Sequence, residues 1–274
     1  MPGEPWDPVE RDRRYASCKR AGLARLISEG DSWFDYPPHP NIIDFLDGEG
    51  FWAIKRFEKS GDALENIASD ANLARIAATA RKEKPEAILL SAGGNDLFTD
   101  IPEKPNLRWI WRALMPFDPG KSPAEHVDRL AWDEKKTELR QGFIRFIAAL
   151  GSYAPILIHG YDYLTASGEK VMYDGFRAAG PWILPSMRDR GIDDPAIQAA
   201  VLRVLIDEVN EVLAALERTY PESVIYVDLR GSLRPDRDWM NEIHPTEDGF
   251  HKVEEIFRDA LMQRLPDVQL RRHS

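Results

Sequence analysis

The chain has 274 residues, of which 43% are hydrophobic and 30% are charged, a balance typical of a globular protein with a substantial core. Its formal net charge of -10 repels phosphate backbones, so no nucleic-acid partner is expected. The single cysteine, Cys18, excludes an intrachain disulfide and a cysteine-based zinc site.

The N-terminus lacks the basic-then-apolar pattern of a secretory leader, and no apolar run approaches the ~20 residues of a membrane span. We therefore expect a soluble, cytoplasmic protein with no membrane span. The 6 histidines include no pair at metal-ligand spacing, so no metal site and no cofactor are predicted. No heptad or conspicuous apolar face indicates an oligomeric state.

Short apolar runs that end in glycine or polar residues recur along the chain. They cover residues 22–29, 87–91, 154–159 and 224–228. Buried parallel strands have this pattern. Residues 1–20 are polar and rich in proline, and we expect them to form an arm on the surface.

Helical periodicity separates the later runs. Apolar residues recur at helical spacing over 139–150, 201–216 and 250–261. Asp194, followed by proline, and Thr246 are suitable N-caps for the last two helices. Alternating strands and helices predict a single α/β domain over residues 1–274, with a parallel sheet covered on both faces.

Two segments interrupt this alternation, at 97–132 and 163–194. Both contain proline and tryptophan, and both start directly after predicted strand tips. Open α/β sheets bind their ligands outside the carboxyl ends of the strands. We expect the two insertions to roof a pocket there, with their tryptophans forming either a pocket wall or the insertions' own core.

Three polar motifs lie at predicted strand tips or before the last helix. Gly30-Asp31-Ser32 presents a hydroxyl that a base could activate. Gly93-Gly94-Asn95-Asp96 offers an amide donor for a developing oxyanion. His244 precedes the last helix and could reach back to the sheet edge. Each motif alone also has an ordinary explanation as a turn or loop sequence.

As an ordered set, these motifs resemble the SGNH hydrolase superfamily, also called GDSL-like lipases and esterases, from Gly30 to the final helix. The resemblance implies a three-layer α/β/α fold with a short parallel five-stranded sheet, related to flavodoxin. It also implies hydrolysis of a small-molecule ester, with Ser32 as nucleophile and His244 as general base. The oxyanion hole would consist of the Ser32 N–H, the Gly61 N–H and the Asn95 side chain.

The chain departs from the family at two places. The block that fits Gly61, Ser60-Gly61-Asp62, lacks the family's usual flanking asparagine. The second departure concerns the histidine. The family usually places aspartate three residues before the histidine, where this chain has Asn241. Asn241 could orient His244 in a Ser-His dyad, or a carboxylate could take the role, Asp238 being preferred to Glu242. Alternatively, the protein has lost catalysis and kept a binding pocket. Acyl transfer to an alcohol is a further alternative.

Three residues are candidates for substrate binding. Asp31 and Trp33 flank the proposed nucleophile, and Asp162 follows the run at 154–159. Asp162 could equally form an Asx-turn. Nothing in the sequence identifies which ester is bound.

Overall fold

The computed structural model describes residues 7–101, 103–173 and 177–265. Its strands, in chain order, are β1 (Ala24–Gly30), β2 (Trp52–Arg56), β3 (Ala87–Ser91), β4 (Asp100–Ile101), β5 (Lys104–Arg108), β6 (Ile156–His159), β7 (Val171–Tyr173), β8 (Arg177–Ala179) and β9 (Val224–Val227). Its α-helices are α1 (Pro8–Arg20), α2 (Ile42–Gly48), α3 (Leu64–Ile67), α4 (Asp70–Glu83), α5 (Gly94–Phe98), α6 (Trp109–Arg112), α7 (Arg129–Leu150), α8 (Leu184–Asp189), α9 (Pro195–Thr219) and α10 (Glu247–Arg264). A short 3-10 helix covers Pro123–His126.

The central sheet has five parallel strands, as predicted, and their order is β2-β1-β3-β6-β9. The apolar runs form its middle because strands covered on both faces must be hydrophobic throughout. Every residue of β3 and β6 is buried.

Helices cover the sheet in two layers. The chain runs from β1 outward to β2 and then reverses, so right-handed crossovers place α2 on one face and α4, α7 and α9 on the other. In agreement, α4 packs on α7, α7 packs on α9, and α10 returns to pack on α2. This arrangement confirms the predicted α/β/α fold.

The predicted caps are present. The carboxylate of Asp194 accepts the N–H of Ala196, and the hydroxyl of Thr246 accepts the N–H of Gly249. These bonds satisfy backbone donors that have no partner inside the helix, and so fix where α9 and α10 begin.

Two elements differ from the sequence-based expectation. Residues 7–20 of the expected surface arm are mostly helical, because α1 begins at Pro8, capped by Asp7, and packs on the edge strand β2. Residues 1–6 of that expectation lie outside the described residues. Strand β2 was missed because its residues 52–56 end in two basic side chains and lack a long apolar run.

The two insertions contain small elements of their own. The 97–132 segment holds the β4–β5 hairpin and α6, and the 163–194 segment holds the β7–β8 hairpin and α8. Across the described ranges, no helix is both long and apolar enough to cross a membrane. Those same ranges contain no group of histidine, cysteine and acidic residues that could hold a metal ion.

Candidate active site

The strand order creates a crevice between β1 and β3, because the chain leaves β1 toward β2 on one side and later returns to β3 on the other. Ligands of doubly wound sheets bind at such a switch point, outside the carboxyl ends of the strands. Ser32 follows β1 and Asn95 follows β3, so two predicted site residues lie at this crevice.

The loop that carries Ser32 is fixed by its neighbour Asp31. One carboxylate oxygen, Oδ1, accepts the Trp33 N–H at 3.0 Å and the Ser91 hydroxyl at 2.7 Å. The Asp31 N–H donates to the carbonyl of Ser91 at 3.1 Å. Gly30 permits this close approach, since a Cβ there would lie 2.7 Å from the Ser91 carbonyl oxygen.

Tyr161, at the tip of β6, joins the Ser32 loop to the Asn95 loop. Its hydroxyl accepts the N–H of Gly94 at 2.8 Å and lies 3.3 Å from Oδ2 of Asp31. Burial raises the pKa of both Asp31 and Tyr161. Because the phenol keeps its proton, it donates to the carboxylate and holds the two loops at a set separation.

Ser32 and His244 are in hydrogen-bond contact, with 2.8 Å between Oγ and Nε2. The other ring nitrogen, Nδ1, lies 3.1 Å from Oδ1 of Asn241. Oδ1 also accepts the backbone N–H groups of Ile243, at 3.1 Å, and His244, at 3.0 Å. These donors assign the amide oxygen to the His244 side. Nδ1 must then carry the proton, which leaves the Nε2 lone pair facing the serine hydroxyl.

No carboxylate contacts His244 among the hydrogen bonds of the described residues, and the expectation for Asp238 is corrected. Its carboxylate accepts from Lys252 at 2.5 Å and from the Arg234 N–H at 2.8 Å. The hydrogen bonds of Asp238 therefore go to Arg234, in the loop before α10, and to Lys252, in α10 itself, and none of them joins it to the ring of His244.

The carboxylate of Glu242 likewise makes its hydrogen bonds elsewhere, with the second insertion. Its carboxylate, which is 0% exposed, accepts the backbone N–H groups of Gly168 at 3.2 Å, Ile183 at 2.6 Å and Leu184 at 2.8 Å, and that of Trp182. Burial raises its pKa, while these hydrogen bonds favour the ionised form. Glu242 therefore ties the 163–194 insertion to the loop of His244.

Aromatic rings enclose His244, which is 2% exposed. Tyr36 stacks on it with 4.4 Å between ring centroids and 28° between planes, and Trp182 meets it edge-on at 5.5 Å. Burial, and to a lesser extent the neighbouring His39, lowers the pKa of His244 to about 3. The ring is therefore neutral, as a base must be, over a wide range of pH.

The loops that would form an oxyanion hole are bonded to each other. The amide nitrogen of Asn95 donates to the carbonyl of Asp62 at 2.9 Å, and Asp96 accepts the N–H of Leu64 at 2.9 Å. This places Gly61, whose φ is +84°, on a loop attached to Asn95.

Two backbone N–H groups on the loops of Ser32 and Gly61 donate to no described residue. Among the hydrogen bonds of the described residues, none uses the backbone N–H of Ser32 or of Gly61. Both N–H groups can therefore donate to another acceptor, and of the two residues only Ser32 lines the pocket at β1.

The pocket at Ser32 has a volume of about 10 Å³, room for about one water molecule. It is lined by Asp31, Ser32, Trp33, Gly94, Asn95, Phe98, Tyr161, Leu164 and Ile243. Gly61 is not among these lining residues. Leu164 also borders a largely apolar groove of about 490 Å³, between residues 163–167, the start of α9 and Pro235. Leu164 is the residue common to the linings of the groove and the pocket.

The other two predicted substrate contacts differ from each other. Trp33 borders the pocket, but its indole is buried against His159 and its Nε1 donates to the carbonyl of Ile243 at 3.0 Å. The expectation that Asp162 binds substrate is corrected, because its carboxylate accepts the N–H groups of Tyr163, Gly231 and Leu233, each at 2.6 Å. It therefore joins the tip of β6 to the loop after β9.

Sequence reasoning missed Tyr36, Tyr161 and Ser91. Tyr161 and Ser91 each lie at a strand tip, which is a signal that could have been used. Tyr36 lies in a proline-rich loop with no recognisable motif, and only the fold brings it to His244.

Two solved structures are similar to this chain. A member of the lipolytic protein G-D-S-L family from Veillonella parvula is 15% identical, with a TM-score of 0.53 over 86% of this chain and 97% of that one. AlinE4, an SGNH-hydrolase family esterase, is 19% identical, with a TM-score of 0.37 over 89% of this chain and 97% of its own. No protein-family model and no curated protein matches the chain.

At such identities the likeness shows the fold alone. The chain has the α/β/α fold of the SGNH, or GDSL-like, hydrolases.

Proposed function

We propose that the protein is a serine esterase that hydrolyses a small-molecule ester through an acyl-enzyme on Ser32. The observation that carries this proposal is the 2.8 Å contact between Ser32 Oγ and His244 Nε2, with Nδ1 of the ring held by Asn241. A serine hydroxyl becomes an effective nucleophile when such a base accepts its proton.

In the first half-reaction, the Ser32 oxygen attacks the ester carbonyl while its proton moves to Nε2 of His244. The carbonyl oxygen becomes an oxyanion, stabilised by the Ser32 N–H, the Gly61 N–H and the Asn95 amide. The tetrahedral intermediate then collapses, and His244 returns the proton to the leaving alcohol. In the second half-reaction, water repeats the attack with the same base and frees the acid.

A neutral Asn241 is compatible with this mechanism because the amide presents its oxygen to His244. In a Ser-His-Asp triad, Asp→Asn costs ~10⁴ in turnover because the histidine adopts the wrong tautomer. Here two backbone N–H groups fix the orientation of the amide. The tautomer is therefore the active one, and only the electrostatic contribution of an aspartate is missing.

The insertions are proposed to roof the site. Glu242 binds backbone N–H groups of the second insertion, and Trp182 from that insertion covers an edge of His244. Phe98 and Leu164, at the starts of the two insertions, line the small pocket. A pocket this tight favours a short acyl group, such as acetyl.

The test compares p-nitrophenyl acetate hydrolysis by wild type, Ser32→Ala and His244→Ala. Both substitutions should reduce kcat by ~10³-fold or more, to the residual rate that the oxyanion hole supports without the nucleophile or the base. Ser152→Ala is the matched control, because this exposed serine lies just before β6, at the opposite edge of the sheet. It should retain full activity.

A fluorophosphonate probe adds a second measurement, since it labels an activated serine without turnover. Labelling that Ser32→Ala abolishes supports the proposal. Failure of wild type to hydrolyse esters or to react with the probe refutes it, and ligand screening for a binding module would follow. Faster acyl transfer to an added alcohol than to water would identify an acyltransferase.

A further inference from the structure

The proposed mechanism creates a positive charge on His244, and no carboxylate of the described residues is bonded to the ring to offset it. When the base accepts the Ser32 proton it becomes an imidazolium, and a triad aspartate would offset that charge. Asn241 carries none, and Asp238 and Glu242 bind other groups. Some other feature of the buried site must stabilise the cation.

Tyr36 is placed to do so. Its ring lies over the imidazole with 4.4 Å between centroids and 28° between planes, so the cation would form against the negative face of the ring. Tyr36 is 1% exposed, so little water screens the interaction. Trp182, from the insertion, approaches the imidazole with 5.5 Å between ring centroids and 75° between planes.

The hydroxyl of Tyr36 acts on Asn241. The Asn241 amide nitrogen donates to it at 3.2 Å, and the hydroxyl lies 3.5 Å from the sulfur of Met240, to which it donates. The amide nitrogen thus has a partner, and the amide oxygen stays on the His244 side. One residue therefore contacts both the base and the group that orients it.

We propose that Tyr36 is a positioning residue that replaces the missing triad carboxylate, its ring face stabilising the His244 imidazolium and its hydroxyl fixing the Asn241 amide. The inference rests on the proposed function. An aromatic face at this distance accounts for roughly a two- to thirtyfold effect on rate. The hydroxyl accounts for a further loss of about fivefold or more when its partner is left unpaired in a buried site.

The experiment separates the electrostatic effect of the Tyr36 ring face from the packing effect of the ring's shape. Tyr36→Phe removes the hydroxyl alone. Phenylalanine analogues with one, two and three fluorines at position 36 then keep the shape of the ring while weakening its negative face. We expect kcat/KM to fall progressively along this series, by about tenfold from phenylalanine to the trifluoro analogue.

Two comparisons make the series specific. In an Asn241→Asp background the new carboxylate offsets the cation, so fluorination should cost less than about threefold. The same trifluoro substitution at Phe257, a fully buried ring that contacts Phe34 and His159, should leave the rate unchanged.

A readout independent of turnover is the pKa of His244, followed by NMR in Ser32→Ala variants. His39 is the titratable neighbour that must be assigned separately. Weakening the ring face should lower the pKa of His244 along the series, whereas a change in packing alone would not produce a graded shift.

A graded fall in both rate and pKa supports the proposal. A flat pKa series overturns it, as does an equal loss of rate with Asn241 in place and in the Asn241→Asp background. Failure of the proposed function has a different signature, namely ester hydrolysis that survives Ser32→Ala or is absent from wild type. Whether ester hydrolysis survives Ser32→Ala or is absent from wild type, the pKa series still decides whether the ring face stabilises the His244 cation.

Discussion

Asn241→Asp is expected to increase activity, which is the opposite of what most active-site substitutions do. The new carboxylate oxygen would replace an amide oxygen 3.1 Å from Nδ1 of His244. An adjacent opposite charge raises the pKa of a histidine by ~1–3 units, or about 1.4–4 kcal/mol of preference for the imidazolium.

Burial of the carboxylate opposes this gain, since position 241 is 1% exposed. Its hydrogen bonds limit the cost. One oxygen would keep the N–H groups of Ile243 and His244, and the Tyr36 hydroxyl would rotate to donate to the other. We therefore expect kcat/KM to rise by about 10- to 100-fold, which is less than ~10⁴ because the correct tautomer is already present.

The assay is kcat/KM for p-nitrophenyl acetate from about pH 4 to about pH 9, because the acid limb reports the pKa of the free base. The limb should move to higher pH in Asn241→Asp. Asn66→Asp, the same chemical change at an exposed position of α3, should alter neither rate nor limb. A lower rate at unchanged thermal stability, or an unmoved acid limb, would refute the reasoning.

Four further outcomes are expected. Wild-type kcat/KM should stay constant down to about pH 5, since the pKa of His244 is lowered to about 3 and the base loses its active neutral form only below that value; the pH profile measures this. Asn95→Ala should lower kcat by ~10²–10³-fold with little change in KM, as steady-state kinetics would show. Leu164→Ala should join the small pocket to the 490 Å³ groove and shift the preferred p-nitrophenyl ester from acetate toward longer chains. Glu254→Gln should raise the melting temperature near pH 9 and leave it unchanged near pH 4.5. Burial raises the pKa of Glu254 to about 7, and neither of its carboxylate oxygens has a hydrogen-bond partner. The folded protein therefore loses stability as the pH rises through about 7 and the buried carboxylate ionises.

Each of these four predictions would be contradicted by a specific result. An acid limb above about pH 6 would mean that His244 is not the isolated, buried base described here. Equal losses in kcat and 1/KM for Asn95→Ala would indicate ground-state binding. An unchanged chain-length preference would place the acyl group elsewhere than beside Leu164. A pH-independent effect of Glu254→Gln would show that its charge is not the cause.

The strands and the ordered motifs were predictable because they depend on local sequence. Apolar runs ending in polar residues predicted four of the five central strands, and the motif order anticipated that Ser32 and His244 would meet. Strand β2 was not predictable in this way, since its pairing with β1 and its contact with α1 make it a strand. Its own composition is weak evidence for one.

Side-chain partners were less predictable than positions. Asp238, Glu242 and Asp162 are all acidic residues near strand tips or near His244, and sequence cannot tell which donors each will meet. The fold gives Asp238 a lysine and gives Glu242 and Asp162 clusters of backbone N–H groups. Tyr36 approaches His244 across more than 200 positions of sequence, a contact that only the assembled fold creates.

The attachment of Glu242 to the second insertion constrains how the protein could be redesigned. Loop grafting is an obvious way to change the substrate range of a scaffold whose sheet stays constant. A foreign loop at 163–194 that lacks the N–H cluster of residues 182–184 would leave a fully buried carboxylate without donors, at a cost of several kcal/mol. Because that carboxylate adjoins Asn241, the disturbance would reach the base directly. The insertion and the segment around His244 are therefore best exchanged as one unit.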